Sequence, residues 1–259
     1  MAQKKYNQVE SRKQLPWWIV NLLLGTIAAG VGFYWFSSGN KWQRIERIGI
    51  KLPLHYDLHG IDVSHHNGRI DWEQVAKMPL NDDLKISFAF IKATEGATHL
   101  DRQFERNWQA AKKAGISRGA YHFYYPHTHS DLQAESFINR VKLQNGDLPP
   151  VLDVETEHNQ KPDLIVRGIA NWLKIIEKHY GQRPIIYTNY NFYNRYIKAN
   201  FANYPVWIAD YSNESFSVFG AEVLFWQHNE NGYVDGIKGR VDYNVFTGSG
   251  QEWTELQKP

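Results

Sequence analysis

Eight short apolar segments, the first five separated by helix-patterned stretches, constrain this chain more than any other feature of its sequence. They fall at 60–65, 86–94, 117–124, 150–155, 184–188, 205–211, 223–228 and 241–246. Between the earlier ones, 71–77, 104–114, 131–144 and 162–180 place apolar residues three and four apart, the repeat that gives a helix one buried face. Strands alternating with helices predict a parallel sheet covered by helices, and eight strands predict closure into a barrel. The last three strands are joined by connections with little helical pattern. The expected fold is therefore α/β: an irregular (β/α) barrel of eight strands with fewer than eight helices. An open doubly wound sheet is the alternative.

Ahead of this rhythm, residues 17–36 (WWIVNLLLGTIAAGVGFYWF) carry no charge. As a helix rising ~1.5 Å per residue the segment spans about 30 Å, the thickness of a bilayer's hydrocarbon core. Trp17 and Trp18 stand at one end and Tyr34, Trp35 and Phe36 at the other, where aromatic belts belong. The expectation is an N-terminal transmembrane helix; a signal peptide cleaved near Ala28–Ala29–Gly30 is the alternative. Lys4, Lys5, Arg12 and Lys13 precede the segment and Lys41, Arg44, Arg47 and Lys51 follow it, so charge alone does not orient it. The expected organisation is a tail at 1–16, an anchor at 17–36, a basic amphipathic connector at 37–54 and one folded domain at 55–259.

Composition narrows the classes of function. A chain that is 42% hydrophobic and 22% charged folds, and a net charge of +2 without a long basic run speaks against nucleic acid as a partner. With no cysteine there is no disulfide framework, thiolate zinc site or cysteine nucleophile. The aromatic share of 15% suits either a core of large side chains or a cleft that stacks on sugars.

In a parallel barrel, the C-terminal ends of the strands carry the catalytic side chains. Strand one ends GIDVSHHNG with Asp62, strand four ends PPVLDVETE with Asp153 and Glu155, and strand eight begins RVDYNVF with Asp242. The preceding Val151 and Leu152 and the intervening Val154 place Asp153 and Glu155 on the strand itself, where they share a face with Cα atoms about 6.5–7 Å apart. Two carboxyls in one low-dielectric cleft do not both ionise easily, so one keeps its proton as a general acid. Glycoside hydrolysis uses such a pair. The competing reading places both in a solvated loop beyond the strand. Asp62 and Asp242 converge on the same mouth because strands one and eight are neighbours in a closed barrel; alone, each would read as a turn or cap residue.

Other polar groups give weaker signals. His65, His66, His99, His122, His127 and His129 show no H-E-x-x-H or equivalent spacing, so no catalytic metal or other cofactor is expected. Lys92 and Glu95 suit either the cleft or an ion pair. Residues 188–196 (TNYNFYNRY) suit either a sugar-contacting loop or the start of a helix. Asp210 is left outside the catalytic set.

The ordered segments GIDVSHHNGRIDW, FAFIKATEG, AGISRGAYHFYYP, PPVLDVE, RPIIYTNYNFYN, VWIADY, LFWQH and VDYNVF, from about Gly60 to Phe246, strongly resemble the lysozymes of glycoside hydrolase family 25. The resemblance implies a flattened, irregular eight-stranded barrel that cuts the β-1,4 bond between N-acetylmuramic acid and N-acetylglucosamine in peptidoglycan. It implies Glu155 as general acid, Asp153 as its assistant, and Asp62 and Asp242 as further acidic groups of the cleft. Tyr121 becomes an expected site tyrosine, Tyr187 and Trp207 cleft-lining aromatics, and Trp226 and Gln227 additional substrate contacts. A hydrolase of peptidoglycan would face the outer side of the cytoplasmic membrane, with the bilayer as its second partner. A glycan-binding protein without catalysis, or a hydrolase of another amino-sugar polymer such as chitin, are the competing functions.

Overall fold

The computed structural model describes residues 42–212 and 223–258, together with Trp17, Ile19, Asn21, Gly25 and Thr26, which are helical. The expected tail and all but these five positions of the expected membrane span lie outside the described residues. Among the described residues no helix is long and apolar enough to cross a membrane. The chain divides into two compact units, Met1–Lys41 and Trp42–Pro259.

The second unit opens with an antiparallel hairpin of β1 (Trp42–Ile45) and β2 (Ile50–Pro53). This stretch was expected as a connector, yet Ile48, Ile50 and Leu52 are buried in the outer core. Each strand has only four residues, WQRI and IKLP, too few for a period of two to stand out.

Eight strands then close into a barrel. β3 (His59–Val63) pairs in parallel with β4 (Ile86–Glu95), whose end also carries the two-residue β5 (His99–Leu100). Parallel pairing continues through β6 (Ser117–Phe123), β7 (Val151–Asp153), β8 (Ile185–Asn189), β9 (Val206–Ala209) and β10 (Val223–Gly232). The last strand, β11 (Val241–Phe246), runs antiparallel to both β10 and β3 and closes the ring. This corrects the expectation of an all-parallel sheet. Residues 233–240 are too few for the dozen-residue crossover that a parallel return needs, so the chain turns back on itself.

Six helices are present among the described residues of this unit. They are α1 (Trp72–Lys77), α2 (Phe104–Lys113), α3 (Ser130–Arg140), α4 (Pro162–Tyr180), α5 (Tyr190–Phe192) and α6 (Gly250–Leu256). The ambiguous 188–196 stretch is helical, α5 running into a π-turn over Tyr193–Ile197. The longest helix, α4, starts with Pro162, stops at Gly181 in the left-handed region (φ 69°) and buries Ile165, Ile169, Trp172, Leu173 and Ile176 against the sheet. The short α6 carried no clear signal in the sequence; a capping box between Ser249 and Glu252 starts it.

The alternation of strand side chains makes two cores. Outside the barrel, Ile186, Ile208 and Val245 join the helices' Val75, Trp172 and Ile176. Inside, Phe88, Phe90, Val151, Ile185, Trp207, Phe225 and Phe246 fill the ring, and Trp253 of α6 closes it by packing on Phe88, Phe225 and Phe246 with ring centroids 5.5, 6.3 and 5.1 Å away. Two glycines make room for the inner rings. A Cβ on Gly60 would lie 2.4 Å from Phe88, and one on Gly119 would lie 2.5 Å from Phe90. A buried ion pair ties β6 to the 141–150 loop: Arg118 Nε donates to Asp147 Oδ1 at 2.7 Å, and the guanidinium lies 3.9 Å over the Trp108 ring.

Candidate active site

The open end of the barrel gathers the acidic groups. Asp62 is one residue from the end of β3 and is the direct register partner of Asp242, the second residue of β11. Because β11 is antiparallel, its beginning lies beside the ends of the other strands, which is how Asp242 reaches this mouth. Asp153 is the last residue of β7, level with Phe123 of β6 and Tyr187 of β8.

Glu155 lies beyond the strand, not on it, which corrects the expected placement of the pair. Val154 N still donates to Tyr187 O at 3.0 Å, but the Glu155 carbonyl is taken by the Asn189 side chain, also at 3.0 Å, instead of a ladder partner. Thr188 Oγ1 donates to the Val154 carbonyl at 2.6 Å. These bonds hold the segment after β7 against β8 and fix the Glu155 backbone. On its outboard side a cavity of about 610 Å³ is lined by Glu155, Glu157, His158, Asn189, Asn191 and Arg195, among others.

Gln227 and Asn244 organise the other side of the mouth. Gln227 Nε2 and Asn244 Nδ2 each donate to Asp62 Oδ2 at 2.8 Å. Gln227 Oε1 accepts from the Tyr187 hydroxyl at 2.9 Å and the Tyr211 hydroxyl at 2.6 Å. Asn244 Oδ1 accepts from the Trp207 indole at 2.8 Å.

Crowding of carboxyls in a poorly hydrated cleft moves their titrations. Burial pushes Asp62 upward, against the pull of its Asn244 and Gln227 donors. Asp153 is held well above the usual carboxylate range by burial and then by the Glu155 charge, while Lys92 opposes the rise. Burial and then the Asp62 charge raise Glu155. Asp242 is pushed up to about 9, by burial first and then by the charge of Asp62 and a hydrogen bond to it. All four shifts are upward, the direction in which a carboxyl keeps its proton longer as pH rises, as a general acid requires.

The structure brings most of the expected site residues together. Tyr121 is a buried phenol surrounded by Asp62, Asp153 and Asp242, whose charges, after burial, raise it further. Tyr187 reaches Gln227 and feels Glu155 and Asp153. Trp207 points into the barrel but is only 2% exposed, stacked on Phe90 with ring centroids 4.4 Å apart. It underlies the site and does not line the cleft. Trp226 does not reach the site. It alternates with the inward-pointing Gln227, so its ring lies outside the barrel, wholly buried beside Trp42 and His228.

Some functional positions were missed or left undecided. Asn244 lies two residues past Asp242 on β11, so the period of two places it on the same face. Tyr211 follows β9 and has no comparable signal. Lys92 and Glu95 form an ion pair at 2.6 Å at the end of β4, and the Tyr125 hydroxyl also donates to Glu95. His122 is structural: Thr94 and Gln133 engage its two nitrogens and it stacks on Trp172. His65 Nδ1 bonds Asp101 at 2.9 Å. Among the described residues no three His, Cys, Asp or Glu side chains are grouped to hold a metal ion.

Four carboxyls at the mouth of an irregular barrel, all raised by burial, define the class as a hydrolase of acid-catalysed type. Residues 61–237 match the profile of glycosyl hydrolases family 25. The chain is 42% identical over 211 residues to the uncharacterized protein YegX of Escherichia coli K12, covering 82% of this chain and 77% of that one. It is 34% identical over 209 residues to lysozyme M1 of Streptomyces globisporus, covering 74% and 68% respectively. A family 25 glycosyl hydrolase from Bacillus anthracis has a similar structure, with a TM-score of 0.70 at 32% identity over 78% of this chain and 94% of that one. The chain belongs to glycosyl hydrolases family 25.

Proposed function

We propose that this protein is a lysozyme that hydrolyses the β-1,4 bond between N-acetylmuramic acid and N-acetylglucosamine in peptidoglycan. The observation that carries the reading is the position of Glu155: half-buried at the cleft, raised in pKa, and beside a cavity with room for the departing sugar. Glu155 gives its proton to the glycosidic oxygen as the bond breaks. Asp153, buried and itself reluctant to ionise, orients the 2-acetamido group or stabilises the charge that develops on the ring. Asp62 and Asp242 complete the acidic wall opposite. Tyr121 and Tyr187 bound the reacting sugar, and the catalysis needs no cofactor.

The membrane reading rests on the 20 uncharged residues at 17–36. In it the tail at 1–16 stays in the cytoplasm and the catalytic unit faces the wall, so that the bilayer holds the enzyme near its polymer. Membrane fractionation of the full-length protein tests this part; recovery of a chain cleaved after Ala29 from the soluble fraction would end it.

The activity is tested on purified peptidoglycan with analysis of the released sugars. New muramic-acid reducing ends, lost in Glu155→Gln, are expected. Binding without release would instead mark a wall-docking protein, and N-acetylglucosamine reducing ends a different bond specificity.

A further inference from the structure

Asp62 and Asp242 are direct register partners at the mouth, and the hydrogen bonds around them favour the ionised form of one of the two. The indole N–H of Trp207 can only donate, so the atom of Asn244 that meets it at 2.8 Å is the carbonyl oxygen. The amide nitrogen of Asn244 therefore faces Asp62 Oδ2, also at 2.8 Å. Gln227 is turned by the same logic. One end of its amide meets two phenol hydroxyls, Tyr187 at 2.9 Å and Tyr211 at 2.6 Å, an arrangement suited to an oxygen with two lone pairs. Its nitrogen then faces the same Asp62 Oδ2 at 2.8 Å. An oxygen that accepts two N–H donors has no place for a proton of its own, and two donated hydrogen bonds favour the ionised form of the carboxyl as a whole.

We propose that Asn244 and Gln227 are positioning residues that hold Asp62 as the ionised member of the Asp62–Asp242 pair and so place the shared proton on Asp242. Trp207, buried beneath the cleft, acts through Asn244 by fixing the direction of its amide. The fixed negative charge on Asp62 then faces the sugar whose ring becomes positive, and protonated Asp242 donates to Asp62 without adding a second charge. This assignment deepens the reading of the site as a hydrolase and rests on it for its catalytic consequence, but the protonation itself is independent of activity. The other charged or titratable groups facing the pair are Tyr121 on β6, Tyr187 on β8, Tyr211 after β9, Glu230 on β10, and Asp153 and Glu155 at the end of β7. On β4, Lys92 is engaged by Glu95.

Two measurements on the full-length protein test the proposal. In protein labelled with ¹³C at aspartate carboxyls, the signal lost in Asp242→Asn is expected to be that of a protonated carboxyl at neutral pH. The signal lost in Asp62→Asn is expected to be ionised. The reverse assignment would overturn the proposal whatever the enzyme's activity. Trp207→Phe keeps an aromatic ring against Phe90 but removes the N–H, and Asn244→Leu removes the donor itself. In both, Asp62 takes up a proton more readily, so the acid limb of kcat/KM moves to higher pH by about one unit, the scale of one lost donor to a carboxylate. Folded variants with an unmoved acid limb and an unmoved Asp62 titration would show that the two amides merely pack. If Glu155→Gln kept full activity while the carboxyl titrations behaved as described, the catalytic reading would fail and the proton assignment would stand.

Discussion

Glu155 stands two residues beyond Asp153, the last residue of β7, and after burial its charge is the largest influence that raises the Asp153 carboxyl. The two carboxyls differ in kind as a result. Asp153 is nearly enclosed, with Oδ1 buried and lacking a hydrogen-bond partner among the described residues. Glu155 is half-buried, next to a cavity, and able to meet an incoming polymer.

Replacing Glu155 by Gln keeps the shape of the side chain and removes its proton. The turnover rate is expected to fall by roughly 10²–10⁴, the usual contribution of a general acid, with little change in KM or melting temperature. Release of reducing ends from peptidoglycan, alongside a thermal melt, checks all three.

The pH profile follows from the direction of the Glu155 shift. Activity needs its proton, and burial followed by the Asp62 charge delays the loss of that proton as pH rises. The alkaline limb of kcat/KM is therefore expected above the ordinary glutamate value, and absent from the residual rate of Glu155→Gln. A limb that survives in that variant belongs to another group.

Asp153 makes a prediction about stability. Its folded-state pKa is raised, so its protonated form favours folding at low pH, and that advantage disappears as pH rises through the folded value. Asp153→Asn is expected to raise the melting temperature more at pH 8 than at pH 4, by an amount worth about 0.5–2 kcal/mol, while lowering activity. Calorimetry at the two pH values, read beside the rate, separates this exchange from simple damage.

Away from the site, Asp147→Asn breaks the buried pair with Arg118 and leaves a guanidinium without its counter-charge. A loss of about 3–5 kcal/mol is expected in urea unfolding. Gly119→Ala forces a methyl against Phe90 and is expected to lose about 1–3 kcal/mol by the same measurement.

The helical period made Pro162–Tyr180 legible to the residue, and the apolar run of β11 was equally plain. Short or split patterns were not. The β1–β2 hairpin has too few residues per strand to show alternation against its basic side chains, and α6 has only two turns. At the site, Asp62, Asp153, Glu155 and Asp242 were found because strand ends in a barrel meet, a rule of position. Trp226 was misplaced because resemblance assigns residue types to a cleft, while the pleat decides which way each one points. The neighbouring Gln227 points inward and Trp226 outward for that reason alone. Asn244 was within reach of a period-two argument started from Asp242. No sequence rule, however, shows that a buried indole orients an amide.

The reversed direction of β11 also bears on when the enzyme comes into being. Asp62 and its partner Asn244 are 182 residues apart along the chain, and the two strands that carry them meet only where the ring is sealed. Until β11 has slotted between β3 and β10, the mouth lacks Asp242 and Asn244, one of the two amides that set the charge on Asp62. During synthesis, a half-made chain thus carries Glu155 early but no finished cleft. A chain that ends before Val241 holds Glu155 without Asp242 or Asn244, and the acidic wall is complete only once the ring is sealed.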